Sequence, residues 1–151
     1  MPPRLELDVS YAAREPWVPS SRQLARWAAA ALAPMRRSVV LSVRVVGLAR
    51  SRSLNAQYRQ KDKPTNVLSF SGAGRVPDGR FFLGELVICA PVVAREARTQ
   101  GDALEAHWAH MAVHGVLHLL GFDHERKIEA VKMAAREVQI LDRLGFSNPY
   151  R

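Results

Sequence analysis

His114, His118 and His124 stand in the stretch "HGVLHLLGFDH", with Gly121 between the second and third. Residues 114 and 118 are i and i+4, so on a helix their imidazoles project from one face, one turn apart, where they can share a metal ion. Gly121 has no Cβ and can take the left-handed conformation that ends a helix, and the returning chain then brings His124 to the same ion. Three neutral imidazoles with a fourth position open is the usual build of a catalytic zinc centre, whereas structural centres close all four positions with protein ligands. Cys89 is the only cysteine, so neither a cysteine-rich centre nor an intramolecular disulfide is available. His107 and His110 lie on roughly the same helical face and compete as ligands. The turn at Gly121 favours the later three, because only they use both the helix and the returning chain. A lone histidine on an apolar helix is better read as a packing or hydrogen-bonding residue; three at this spacing around a glycine read as a metal site.

The spacing H-x-x-x-H-x-x-G-x-x-H is that of the metzincin proteases, in which a glutamate after the first histidine is the general base. Gly115 occupies that place here, so peptide hydrolysis by that route is not expected. Zinc can lower the pKa of bound water to about 7, which makes hydroxide available at neutral pH without a neighbouring carboxylate. Imidazoles also suit nickel, copper and iron. A phosphodiester substrate makes a different demand, because its transition state carries excess negative charge that a guanidinium can stabilise. Arg50, Arg52, Arg59, Lys61 and Lys63 fall within fourteen residues against one acid, Asp62, and form a candidate phosphate grip. The net charge is +8 and 18 of the 22 basic residues are arginine. That balance favours a polyanionic partner, nucleic acid first, over a solvated basic surface.

The elements that must position these groups can be read from periodicity. "LELDVS" (5–10) and "VVLSVRVVG" (39–47) alternate as strands, and "PSSRQLARWAAAALAP" between them is a helix with Ser20 or Ser21 as its cap. "RSLNAQYR" (52–59) is a short helix with Leu54 and Tyr58 on its inner face. "TNVLSF" (65–70) is a strand, "SGAGRVPDGR" a flexible loop, and "FFLGELVICA" (81–90) a nearly continuous apolar strand expected at the centre of a sheet. Pro91 opens a helix to about Gln100. A long helix spans Ala103 to Leu120, and a last one runs from about Glu125 to Leu144 with Ile128, Val131, Met133, Val138, Leu141 and Leu144 as its apolar contacts. The expected architecture is α+β: one domain over residues 1–151, a mixed sheet of about four strands packed against helices, and the metal site on the C-terminal helical part. No apolar run is long enough for a membrane span or a secretory signal, and the single cysteine fits a reducing cytoplasm.

"HGVLHLLGFDH", "LNAQYRQKDKPTNVLSF" (54–70), "LGELVICA" (83–90) and "LDRLGFSNPY" (141–150), in this order, resemble the bacterial rRNA-maturation endoribonucleases called YbeY. The resemblance covers most of the chain from Leu54 onward; the first fifty residues match only in general character. It implies a zinc-dependent, single-strand-specific endoribonuclease that acts on ribosomal RNA at the ribosome, notably at the small-subunit RNA 3′ end, and in ribosome quality control. It implies one zinc ion on His114, His118 and His124, and a functional arginine at Arg59, so that Arg59 and His114 are the candidate catalytic residues. Where the family usually has aspartate after the strand glycine, this chain has Glu85. Asp123, beside His124, is either a turn residue bonded to backbone or a carboxylate that orients a ligand. The general base is left open between Asp123, Glu85 and metal-supplied hydroxide alone. The alternatives are a non-catalytic RNA-binding assembly factor with a structural zinc, and a metalloprotease, against which Gly115 and the charge argue.

Overall fold

The computed structural model describes residues 4–33, 35, 37–122 and 126–150. In chain order the elements are β1 (Leu5–Tyr11), α1 (Ser21–Ala31), β2 (Val39–Val46), α2 (Leu48–Arg59), β3 (Val67–Arg75), β4 (Phe81–Cys89), α3 (Ala90–Gln100), α4 (Leu104–Leu119) and α5 (Lys127–Arg143). The four strands form one mixed sheet in the order β1-β2-β4-β3. β1, β2 and β4 run parallel, and β3 returns antiparallel to β4. The α+β expectation holds, and the apolar run of β4 is explained by its interior position.

Side chains alternate across the sheet with period two, so each strand feeds two layers. Leu41, Val43, Leu86 and Ile88 join Leu24 and Trp27 of α1 and Trp108, Val113 and Leu117 of α4 in the main core. Val87 and Cys89 face the other way, against Leu54 of α2 and Val92 of α3. The sheet is therefore covered on one face by α1 and α4 and on the other by α2. β3, one of the two edge strands, packs against α4 and meets α2 through the Tyr58–Phe70 ring contact. Ser20 caps α1 with a full capping box, its hydroxyl accepting from the Gln23 amide while the Gln23 side chain accepts from the Ser20 amide.

Three expectations need correction. The glycine-rich stretch after Phe70 is not a loop: β3 continues through it to Arg75, across an irregular register. A Cβ on Gly72 would come within 2.5 Å of the Phe82 backbone oxygen, so glycine is there because the neighbouring strand approaches closely. Tyr58 is not buried with Leu54: it packs edge-on against Phe70 yet stays exposed, because the buried stripe of α2 is narrow and is filled by Ser51, Leu54 and Asn55. On α5, Met133 and Leu141 are buried as expected, together with Ile140, whereas Ile128 and Val131 are exposed.

Candidate active site

The histidine helix α4 is buried nearly all round, and its contacts explain the missing glutamate. A Cβ on Gly115 would meet the Leu86 side chain at 2.8 Å and Val67 at 3.3 Å. The helix rests on β3 and β4 at this point, and the Ser69 hydroxyl donates to the Gly115 carbonyl. A larger residue there would force the Leu86 side chain or α4 itself to shift. α4 ends in a Schellman motif: the Gly121 amide donates to His118 O at 3.0 Å and the Phe122 amide to Leu117 O at 3.1 Å, with Gly121 at φ +102°. Helix α4 thus ends at Gly121, as the sequence predicts. His124 and Asp123 follow this turn and lie outside the described residues.

Behind His114 stands a carboxylate that sequence reasoning missed. Glu137 of α5 is 1% exposed, accepts from His114 Nδ1 at 2.8 Å and from His110 Nε2 at 2.6 Å, and also accepts from the Tyr150 hydroxyl of the C-terminal segment. Burial pushes its pKa up, but the hydrogen bonds from His110, His114 and Tyr150 outweigh this and hold the carboxyl at about 2. Burial and the same carboxylate push the Tyr150 phenol up, so it stays a donor. A carboxylate accepting at Nδ1 fixes which ring nitrogen carries the proton and turns Nε2 away from α5. His110, His114 and Glu137 offer ligand atoms within 4.8 Å of one another and could themselves hold a metal ion. The signal for Glu137 was an acid on the apolar stripe of α5, in line with Met133, Ile140 and Leu141.

His114 and His118 line a cleft of about 340 Å³ that also takes Arg59 and Tyr58 from α2 and runs along residues 67–70 of β3. The connection from α2 to β3 is held from inside. Buried Ser51 accepts from the Thr65 amide and donates to the Thr65 carbonyl, and buried Asn55 donates to Lys63 O at 2.8 Å. These bonds fix the end of α2 against the start of β3, and so the root of Arg59. The basic cluster is not wholly available for phosphate: Arg52 makes a bidentate pair with Asp62, which holds the Asp62 carboxyl below its ordinary pKa.

The remaining candidates lie elsewhere. Glu85 is on the α2 face of the sheet, paired with Arg44 at 3.1 Å, and is not among the residues lining the cleft with His114 and His118. His107 is buried and bonded through Nε2 to Glu96 of α3 at 2.8 Å. Glu96 also accepts from the Asn66 side chain, which ties α3, α4 and the entry to β3 together.

These features describe a small α+β protein with a histidine–carboxylate centre beside an arginine-bearing cleft. The model of the family described as endoribonuclease YbeY matches residues 14–145. Two curated proteins of Stenotrophomonas maltophilia, from strains K279a and R551-3, are each named Endoribonuclease YbeY. They are 51% and 50% identical to this chain, over 99% of it and 95% of their own length. The chain belongs to the endoribonuclease YbeY family. Its fold is also similar to the solution structure of a Thermotoga maritima protein, with a TM-score of 0.55 at 22% identity over 97% of this chain and 99% of that one. Among the described residues, no helix is long and apolar enough to cross a membrane.

Proposed function

We propose that this chain is a zinc-dependent endoribonuclease that cuts single-stranded RNA in the cytoplasm, acting on ribosomal RNA, at the small-subunit 3′ end, and in ribosome quality control. The activity follows from the family and from the names of its relatives; the ribosomal substrate follows from the sequence blocks quoted above. The single observation that carries the chemistry is that His114, His118 and Arg59, from two helices on opposite faces of the sheet, line one cleft.

His114, His118 and His124 would hold the metal, and their donor set suits zinc. The Glu137 bond to His114 Nδ1 supports this fit, because ligating histidines are commonly oriented by a carboxylate in this way. When bound, zinc supplies Lewis acidity toward a phosphate oxygen and acidifies water. Glu137 keeps the His114 ring in one orientation and tautomer. The Arg59 guanidinium grips the non-bridging phosphate oxygens and offsets the charge that grows on them as the bond breaks. Ser51 and Asn55 hold the backbone from which Arg59 reaches. His118→Ala is expected to lose zinc and RNA cleavage together, whereas Arg59→Ala should keep its zinc and lose cleavage. Zinc loss in the arginine variant would contradict the assigned role.

A second reading is an RNA-binding assembly factor whose zinc is structural. The observation in its favour is His110 and Glu137 packed beside His114, which could close the coordination shell. Four protein ligands by X-ray absorption of the zinc-loaded protein would favour it; three with an exchangeable position would favour the enzyme.

A further inference from the structure

A second hollow, of about 280 Å³, opens on the α2 face of the sheet, and Tyr58 and Phe70 line both it and the histidine cleft. Its floor is apolar, made by Leu54 and Val87, which are buried. Its rim is charged. Arg44 lies there, held by its 3.1 Å bond to Glu85, and Arg50 lies exposed on the first turn of α2. Tyr58 is 55% exposed and stands edge-on to Phe70, with ring centroids 5.1 Å apart at 71°. A ring left this open contributes little to the core.

Glu85 neutralises Arg44 at the rim, which leaves an apolar floor, an exposed ring packed on Phe70 and the Arg50 guanidinium, a composition with which proteins bind single-stranded nucleic acid, stacking bases and tracking phosphates. A purely apolar ligand would leave the Arg50 guanidinium at its edge without an anionic partner. Tyr58 is also the chain neighbour of Arg59 and lines the histidine cleft with it, so a strand gripped by Arg59 passes within reach of Tyr58. Arg50 lies eight residues back along the same helix, about 12 Å by the rise of an α-helix, within reach of another part of the same strand.

We propose that this hollow is a nucleotide subsite continuous with the cleft: a base of the RNA strand stacks on Tyr58 above Leu54 and Val87, and Arg50 holds a flanking phosphate. The inference rests on the endoribonuclease reading and adds where the strand runs. Steady-state cleavage of a fluorescein-labelled single-stranded RNA by zinc-loaded protein tests it. Tyr58→Ala should raise KM about 5- to 150-fold, the range expected for loss of one base–aromatic stack, with kcat and zinc content little changed. Tyr58→Phe, which keeps the ring against Phe70, should restore KM, and Arg50→Ala should raise KM and flatten its dependence on salt. Cleavage by the wild type with KM unmoved in Tyr58→Ala and Arg50→Ala would overturn the subsite and leave the nuclease reading standing. A KM rise that Tyr58→Phe does not rescue would also overturn the stacking role. A wild type that does not cleave RNA would overturn both.

Discussion

Glu137 on α5 and His114 on α4 are joined side chain to side chain at 2.8 Å, and the carboxylate of the pair is almost wholly shut off from water. A buried carboxylate costs folding energy unless its oxygens are satisfied, and here His110, His114 and Tyr150 satisfy them. The arrangement ties the histidine helix α4, the last helix and the C-terminal segment into one unit.

Glu137→Gln removes the charge and keeps the volume. Carboxylates that orient a ligating histidine are typically worth 10- to 100-fold in metal affinity. Competition with a chromophoric chelator should show a loss of zinc affinity in that range with the circular dichroism spectrum retained. Unchanged affinity would remove Glu137 from the account.

Gly115→Ala tests the packing that excludes a glutamate. The new methyl would meet Leu86 at 2.8 Å. Forcing it into this contact should cost about 1–3 kcal/mol. Urea denaturation reads that loss, and a variant as stable as the wild type would contradict the close approach of α4 to the sheet.

Asn55→Ala removes the buried bond to Lys63 O and leaves that carbonyl without its partner, at a cost of about 1–3 kcal/mol. Because the bond fixes the segment that follows Arg59, RNA cleavage at a temperature where the variant is fully folded should fall while zinc content stays unchanged. A variant that loses stability alone would make Asn55 purely structural.

The architecture could be read from the sequence wherever a local pattern carries the physics. The apolar run of β4 announced an interior strand, and Gly121 announced the turn after α4. Where a distant partner decides, local pattern failed. Gly72 read as loop because the close approach of β4 is invisible along the chain, and Tyr58 read as core because its i,i+4 spacing to Leu54 does not reveal how narrow the buried stripe is. Glu137 was hidden among the apolar residues of α5, since its partners come from α4 and residue 150. His114 and His118 could be proposed from spacing alone, whereas Arg59 stood out from the other basic residues only through its sequence block.

Glu96 gives the protein an acid-sensitive joint. Burial pushes its pKa up, but bonds from His107 and Asn66 prevail and set it below the ordinary glutamate value. A carboxyl depressed in the folded state stabilises the fold above its unfolded pKa of about 4.3, and that stabilisation is lost as pH falls through the lower folded value. Urea midpoints measured from neutral pH downward should fall more steeply below about pH 4.3 for the wild type than for Glu96→Gln. Parallel curves would show that the Glu96 bonds add no pH-dependent stability.

Metal-dependent RNA cleavage in the histidine cleft is the activity we propose for this chain. Its most direct test compares cleavage of a single-stranded RNA by metal-stripped protein, zinc-reloaded protein and zinc-treated His118→Ala, all purified identically. Cleavage by the reloaded wild type alone is expected. Equal cleavage by all three, or none by any, would contradict the claim.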